Sequence, residues 1–216
     1  IFFLEGVLTA RVLHSFPTRR SSDLTTALAY DGEYFWLGQE YKVLKWHKEK
    51  GVVAEYTPIV GLSGSKIKKI YISPYNKTVW AVSESGMAQF DGFSWHSYNI
   101  TSGSTGSIAF SRDGTMWVGK SGVGVYRFKD ELWKLFTKDD GLVSLDIYSL
   151  ALDKNDVLWI GTHSGVSCYD GNEWKTYTIQ DGLSDNTVSY IVVDKNNVKW
   201  FGAVNHSSNI GGITRY

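Results

Sequence analysis

From residue 25 to residue 216, short apolar stretches alternate with turns marked by Gly and Asp, and the stretches recur. Phe35-Trp36-Leu37-Gly38, Met116-Trp117-Val118-Gly119, Leu158-Trp159-Ile160-Gly161 and Lys199-Trp200-Phe201-Gly202 share one pattern, and Val79-Trp80-Ala81-Val82 is a looser copy. The five tryptophans are 44, 37, 42 and 41 residues apart. Runs this short and this apolar read as strands covered on both faces. A repeat near 40 residues made of such strands predicts the blades of a β-propeller.

The stretch from Val143 to Leu183 lays out one blade. Ile147–Leu152 alternates and predicts a first strand, and Asp153-Lys-Asn-Asp156 predicts a turn whose side chains satisfy backbone groups locally. Val157–Gly161 is the second strand, Val166–Tyr169 the third and Glu173–Thr178 the fourth, with Asp170-Gly171 as the hairpin between the last two. The other units align on Asp31-Gly32, Asp91-Gly92, Asp113-Gly114 and Asp140-Gly141. Trp46, Phe90, Tyr126 and Tyr169 fall at one aromatic position of the third strand, and Trp95, Trp133 and Trp174 on the fourth. All nine tryptophans therefore sit at repeat positions and are expected in the core and between blades. The fold expected is all-β: a β-propeller fragment of about four complete four-stranded blades plus a partial fifth, bounded near 25–64, 65–104, 105–142, 143–183 and 184–216.

Residues 1–24 stand outside the repeat. Residues 14–24 (HSFPTRRSSDL) spell one reading frame of a common short-read sequencing adapter, so this segment is expected to be artefactual or unrelated. Glu5 and Arg11 interrupt the apolar start, which argues against a secretion signal. Lys+Arg and Asp+Glu are both 22. That balance gives no electrostatic reason for binding nucleic acid or anionic lipid. No apolar run is long enough to span a membrane as a helix. Cys168 is the one cysteine, so no intrachain disulfide can form.

Asp181-Gly-Leu-Ser-Asp-Asn-Thr-Val188 with Asp194 and Trp200-Phe-Gly202, and Asp153 through Trp159-Ile-Gly-Thr162 with Gly165 and Tyr169-Asp-Gly171, resemble the two-component regulator propeller repeat. The resemblance covers about residues 25–216 and is strongest in units three to five. It implies a bladed propeller, often the extracytoplasmic sensor portion of a bacterial hybrid histidine kinase linked to polysaccharide use, and in other members a free-standing secreted propeller. It implies no shared catalytic residues. Sensors of this kind carry more blades, so the chain reads as a fragment.

Antiparallel succession places second-to-third strand turns and blade-to-blade connections at one end of the sheets. That end is expected to collect Gln39, Glu40, Glu84, Lys120, Ser121, His163, Ser164, Asn205 and His206, with Asp140 and Asp181 nearby. Convergent polar groups around a central channel suit a glycan or other small molecule, and Glu84, Lys120, His163, Asp181 and His206 are the candidate ligand-binding set. Asp153-Lys-Asn-Asp-Val-Leu lacks the Gly and Glu of a calcium loop, and the histidines have no metal-ligand spacing, so neither metal nor cofactor is expected. The serines near glycine have no helix after them to form a nucleophile elbow. The leading expectation is a ligand-sensing propeller in the bacterial periplasm or outside the cell, not itself an enzyme. The alternatives are a secreted structural or protein-interaction propeller, and a lyase resembling the streptogramin-inactivating type, which would need a His/Glu cluster with metal.

Overall fold

The computed structural model describes residues 24–57, 66–83, 86–98, 105–205 and 210–216. The expectations for residues 1–23, and for Glu84 and His206, lie outside the described residues. The chain divides into two compact units.

The first unit holds two four-stranded antiparallel sheets. One runs β1 (Ala27–Tyr30), β2 (Phe35–Gly38), β3 (Val43–His47), β4 (Gly51–Tyr56), and the other β5 (Ile67–Ile72), β6 (Val79–Ser83), β7 (Met87–Phe90), β8 (Trp95–Tyr98). The second unit holds three. The third sheet comprises β9 (Thr105–Phe110), β10 (Met116–Lys120), β11 (Gly124–Lys129) and β12 (Leu132–Phe136). The fourth comprises β13 (Ile147–Leu152), β14 (Leu158–Thr162), β15 (Gly165–Tyr169) and β16 (Trp174–Tyr177). The fifth has three strands, β17 (Val188–Val193), β18 (Lys199–Asn205) and β19 (Ile210–Arg215). In every sheet, sequence neighbours are spatial neighbours. These are four propeller blades and a partial fifth, as the repeat predicts.

Each Asp-to-Trp spacing encodes a bond. The Asp31, Asp153 and Asp194 carboxylates accept from the indole N–H of Trp36, Trp159 and Trp200, at 2.7, 3.3 and 3.3 Å. Their other oxygen accepts from backbone N–H groups of the turn itself, for example Asn155 at 2.8 Å and Val157 at 3.1 Å. The turn is thus satisfied from within and pins the strand after it. Ser111 takes this position in the third sheet and accepts from Trp117 at 3.1 Å.

Aromatic quartets fill the seams between adjacent sheets. Trp36, Tyr56, Phe90 and Trp95 pack in the first unit, and Trp117, Phe136, Tyr169 and Trp174 between the third and fourth sheets. Trp159, Tyr177, Phe201 and Tyr216 cluster between the fourth and fifth. Ring centroids stand 4.7 to 6.4 Å apart in tilted, stacked and edge-on pairs. Such pairs add about 0.5–1.5 kcal/mol beyond their burial. Trp200 differs in being 38% exposed.

The glycines two positions after Trp36, Trp117 and Trp159 serve the same seam. A Cβ on Gly38 would stand 2.6 Å from Ile67 Cγ2, on Gly119 2.7 Å from Ile147 Cγ2, and on Gly161 2.6 Å from the Val188 carbonyl oxygen. The next sheet's first strand lies that close. Two hydroxyls stitch the same approach: Ser107 Oγ accepts from Leu150 N and Ser149 Oγ from Ile191 N, both at 3.1 Å.

One element departs from expectation. β11 runs on to Lys129, three residues past Tyr126, the residue expected at the third-strand aromatic position. Phe128 pairs with Met116 as Tyr169 pairs with Leu158, so Phe128 holds that position and Tyr126 lies opposite Val118. The cause is the hairpin: Asp130 and Glu131 both take positive φ, 51° and 62°, making the tight turn without an Asp-Gly pair.

Candidate functional site

The deduction about which turns share an end holds within the second unit. Gly122 N donates to Leu145 O at 2.9 Å, His163 N to Asp146 O at 3.2 Å, and Gly165 N to Asn186 O at 2.7 Å. Gly122 and Gly165 thus tie the β10–β11 and β14–β15 turns to the segments that lead into the next sheets, and His163 ties its turn to the segment that leads into its own sheet.

Lys120 ends β10 with only 2% of its surface exposed, and burial lowers its pKa from the ordinary lysine value. A lysine so covered is rare unless it has polar company. His163 is exposed in the β14–β15 turn, and Ser164 N beside it donates to Thr162 Oγ1 at 3.0 Å. Asp181 closes a short 3-10 turn, Ile179–Asp181, and its carboxylate accepts from Thr178 N at 2.9 Å and Thr178 Oγ1 at 3.1 Å. Asp140 does the same with Thr137 N at 2.8 Å. Both aspartates therefore have a capping role that accounts for their recurrence. Glu40 accepts from the Tyr41 hydroxyl at 3.2 Å, and Gln39 is buried, both in the first unit. Ser121 is half-buried beside Lys120. The structure thus puts Lys120, His163 and Asp181 at one end of adjacent sheets. Among the described residues, no three His, Cys, Asp or Glu side chains converge as a metal-binding group.

A second feature lies at the other end of the same sheets. The turns of the third and fourth sheets enclose a pocket of about 270 Å³. Trp117 and Tyr169 give it aromatic walls, Asp113 and Asp156 line its rim, and Arg127 projects from β11. Lys129 pairs with Asp113 at 2.7 Å, and Arg112 with Asp156 at 3.0 Å. Burial would raise the Asp113 carboxyl, but the Lys129 hydrogen bond, the backbone and side-chain donations from Thr115 and the charge of Lys129 together outweigh it and bring the pKa down to about 2. Sequence reasoning missed Arg127. Its signal was a charged residue two positions after the fully buried Val125, on the same face of the strand.

With the geometry in place, residues 141–164 match the family described as two component regulator propeller. The repeat is similar to that family's. The extracellular domain assigned to the hybrid two component system BT3049 of B. thetaiotaomicron superposes with a TM-score of 0.59 at 16% identity, over 89% of this chain and 32% of that one. Virginiamycin B lyase from Staphylococcus aureus superposes with a TM-score of 0.64 at 15% identity, over 89% and 69%. PorZ, a surface component of the type-IX secretion system of Porphyromonas gingivalis, does so at 0.61 and 18%, over 94% and 34%. Identities this low show the propeller fold alone. This chain spans about a third of the length of the two-component relative. No curated protein matches the chain in sequence. No helix among the described residues is long and apolar enough to cross a membrane.

Proposed function

We propose that this chain is a ligand-sensing segment of a bacterial extracytoplasmic protein, one that binds a glycan or another small molecule and does not turn it over. The observation that carries the reading is the two-component regulator propeller repeat at residues 141–164, together with a fold like that of the BT3049 extracellular domain. Lys120, His163 and Asp181, all in the second unit, are the proposed ligand contacts. A buried ammonium at the mouth of a turn can hold a ligand oxygen at little entropic cost, because packing has already fixed its stem. Placement in the periplasm or outside the cell, and coupling to a histidine kinase, belong to the same proposal.

A secreted interaction propeller is the second reading, supported by the likeness to PorZ, a bacterial surface component. Lyase activity has the fold likeness behind it and nothing more specific.

The test is a panel of oligosaccharides by isothermal titration calorimetry, with Lys120→Met and His163→Ala. Both variants should keep the wild-type circular dichroism and lose about tenfold or more in affinity, the cost of one charge-assisted hydrogen bond. Unchanged affinity in both sinks this face as the site. Absence of any saccharide binding, with a protein partner captured instead, favours the second reading.

A further inference from the structure

The five repeats differ at one pair of positions, and the difference has a chemical meaning. The first position is the turn residue that precedes the second-strand tryptophan: Asp31, Ser111, Asp153 and Asp194, each of which accepts from that indole, and Ser73 in the second repeat. The second lies directly across from that tryptophan on the third strand: Lys45, Gln89, Arg127, Cys168 and Arg215. In the first repeat Lys45 faces an aspartate, and the two interact electrostatically. In the fifth, Arg215 and Asp194 do the same. The second repeat is neutral on both sides, with Ser73 and Gln89. In the fourth, Cys168 supplies no charge, and Lys199 of the next sheet reaches Asp153 at 2.9 Å. Each of these four repeats is balanced.

The third repeat is not. Arg127 stands across from Trp117, and the turn position holds Ser111. Among the described residues Arg127 makes no ion pair, and its buried Nε has no hydrogen-bond partner. Its Cζ lies 5.9 Å from the centroid of the Phe136 ring. Arg127 is half-buried, and its covered Nε is an unsatisfied donor, which is unusual because buried polar groups are normally hydrogen-bonded. The nearby carboxylates are committed elsewhere: Asp113 to Lys129, Asp156 to Arg112, and Asp170 to the backbone N–H groups of Asn172 and Glu173. The pocket opens at this position.

We propose that this pocket binds a small carboxylate-bearing, hydroxyl-rich ligand, a sugar acid of monosaccharide size. Its carboxylate accepts from Arg127 in the place that Asp31, Asp153 and Asp194 occupy in their own repeats. A planar guanidinium suits a carboxylate better than a hydroxyl. The rings of Trp117 and Tyr169 offer apolar walls to the ligand's carbon face, and the rim carboxylates of Asp113 and Asp156 can accept from its hydroxyls. At about 270 Å³ the pocket falls just below the usual range for drug-sized ligands, which suits one sugar ring and not an oligomer. This site is at the opposite end of the sheets from Lys120 and His163, so it stands or falls apart from the function proposed above.

The experiment is calorimetric titration of the full chain with sodium D-glucuronate and, separately, D-glucose, on wild type, Arg127→Gln and Ser111→Asp. Glucuronate should bind at least about tenfold tighter than glucose, and Arg127→Gln should abolish that preference. Ser111→Asp restores the internal carboxylate. It should raise Tm while weakening glucuronate by about tenfold or more, a combination that a purely structural role for Arg127 would not produce. Equal affinity for glucose and glucuronate, no glucuronate binding at millimolar concentration, or full binding in Ser111→Asp would each overturn the proposal.

Discussion

Asp153 accepts from two backbone N–H groups of its own turn, from the Trp159 indole and from Lys199 of the neighbouring sheet, all while 7% exposed. Burial alone would raise its pKa, but Lys199, the two N–H groups and the indole outweigh that and hold it below the usual carboxylate value. A depressed carboxyl contributes stability that is full above its unfolded pKa, near 4, and is lost as pH falls through the lower folded value. Asp153→Ala should therefore cost about 3 kcal/mol in urea unfolding at pH 7, since it strands a buried ammonium and removes the acceptor of its own turn. The cost should shrink as the pH is lowered below about 4, where the unfolded chain's carboxylate takes up its proton while the native one still resists it. A pH-independent loss would mean that packing, not charge, carries the effect. The Asp153–Trp159 spacing and the locally satisfied turn were legible in the sequence. Lys199 was not, because its partner lies 46 positions earlier on another sheet.

The element that sets blade-to-blade distance is the second strand with its glycine. At Gly161 the obstacle to a side chain is the Val188 carbonyl oxygen, 2.6 Å away, and backbone cannot swing aside as a methyl can. At Gly202 a Cβ would meet nothing nearer than Tyr190 Cβ at 3.5 Å. Gly161→Ala should thus destabilise by about 2 kcal/mol, the scale of forced overpacking. Gly202→Ala should stay within about 0.5 kcal/mol of wild type. Chemical denaturation of the two variants side by side checks this, and equal effects would refute the seam explanation. Strand order and most turns could be read from the chain because Asp-Gly and Asp-x-x-Asn mark them. The β11–β12 hairpin could not, since Asp130 and Glu131 adopt positive φ without glycine, and the aromatic position slid by two residues as a result. Propensity was overridden there by pairing with β10 and β12.

At the scale of the whole molecule, the repeat period was plain in the sequence, whereas the Arg127 pocket was not. It arises where turns of two sheets meet, and no single repeat contains it. The same neighbour-on-neighbour construction makes Cys168 a native reporter. Its thiol is buried between Trp159 and the fifth sheet's core residues, and burial pushes its pKa up. A thiol reagent can reach it only when the fourth sheet's seam opens, so the labelling rate measures that opening. With stacked repeats coupled chiefly through their interfaces, opening should cost about 4 kcal/mol or more, making native labelling about a thousandfold slower than in denaturant. Gly161→Ala lies in the same seam, so its loss of about 2 kcal/mol should accelerate labelling about thirtyfold. Gly202→Ala should leave the rate alone. If Gly161→Ala lowers global stability yet does not change Cys168 labelling, opening at this seam does not limit access, and the fourth sheet must expose its thiol by a more local fluctuation.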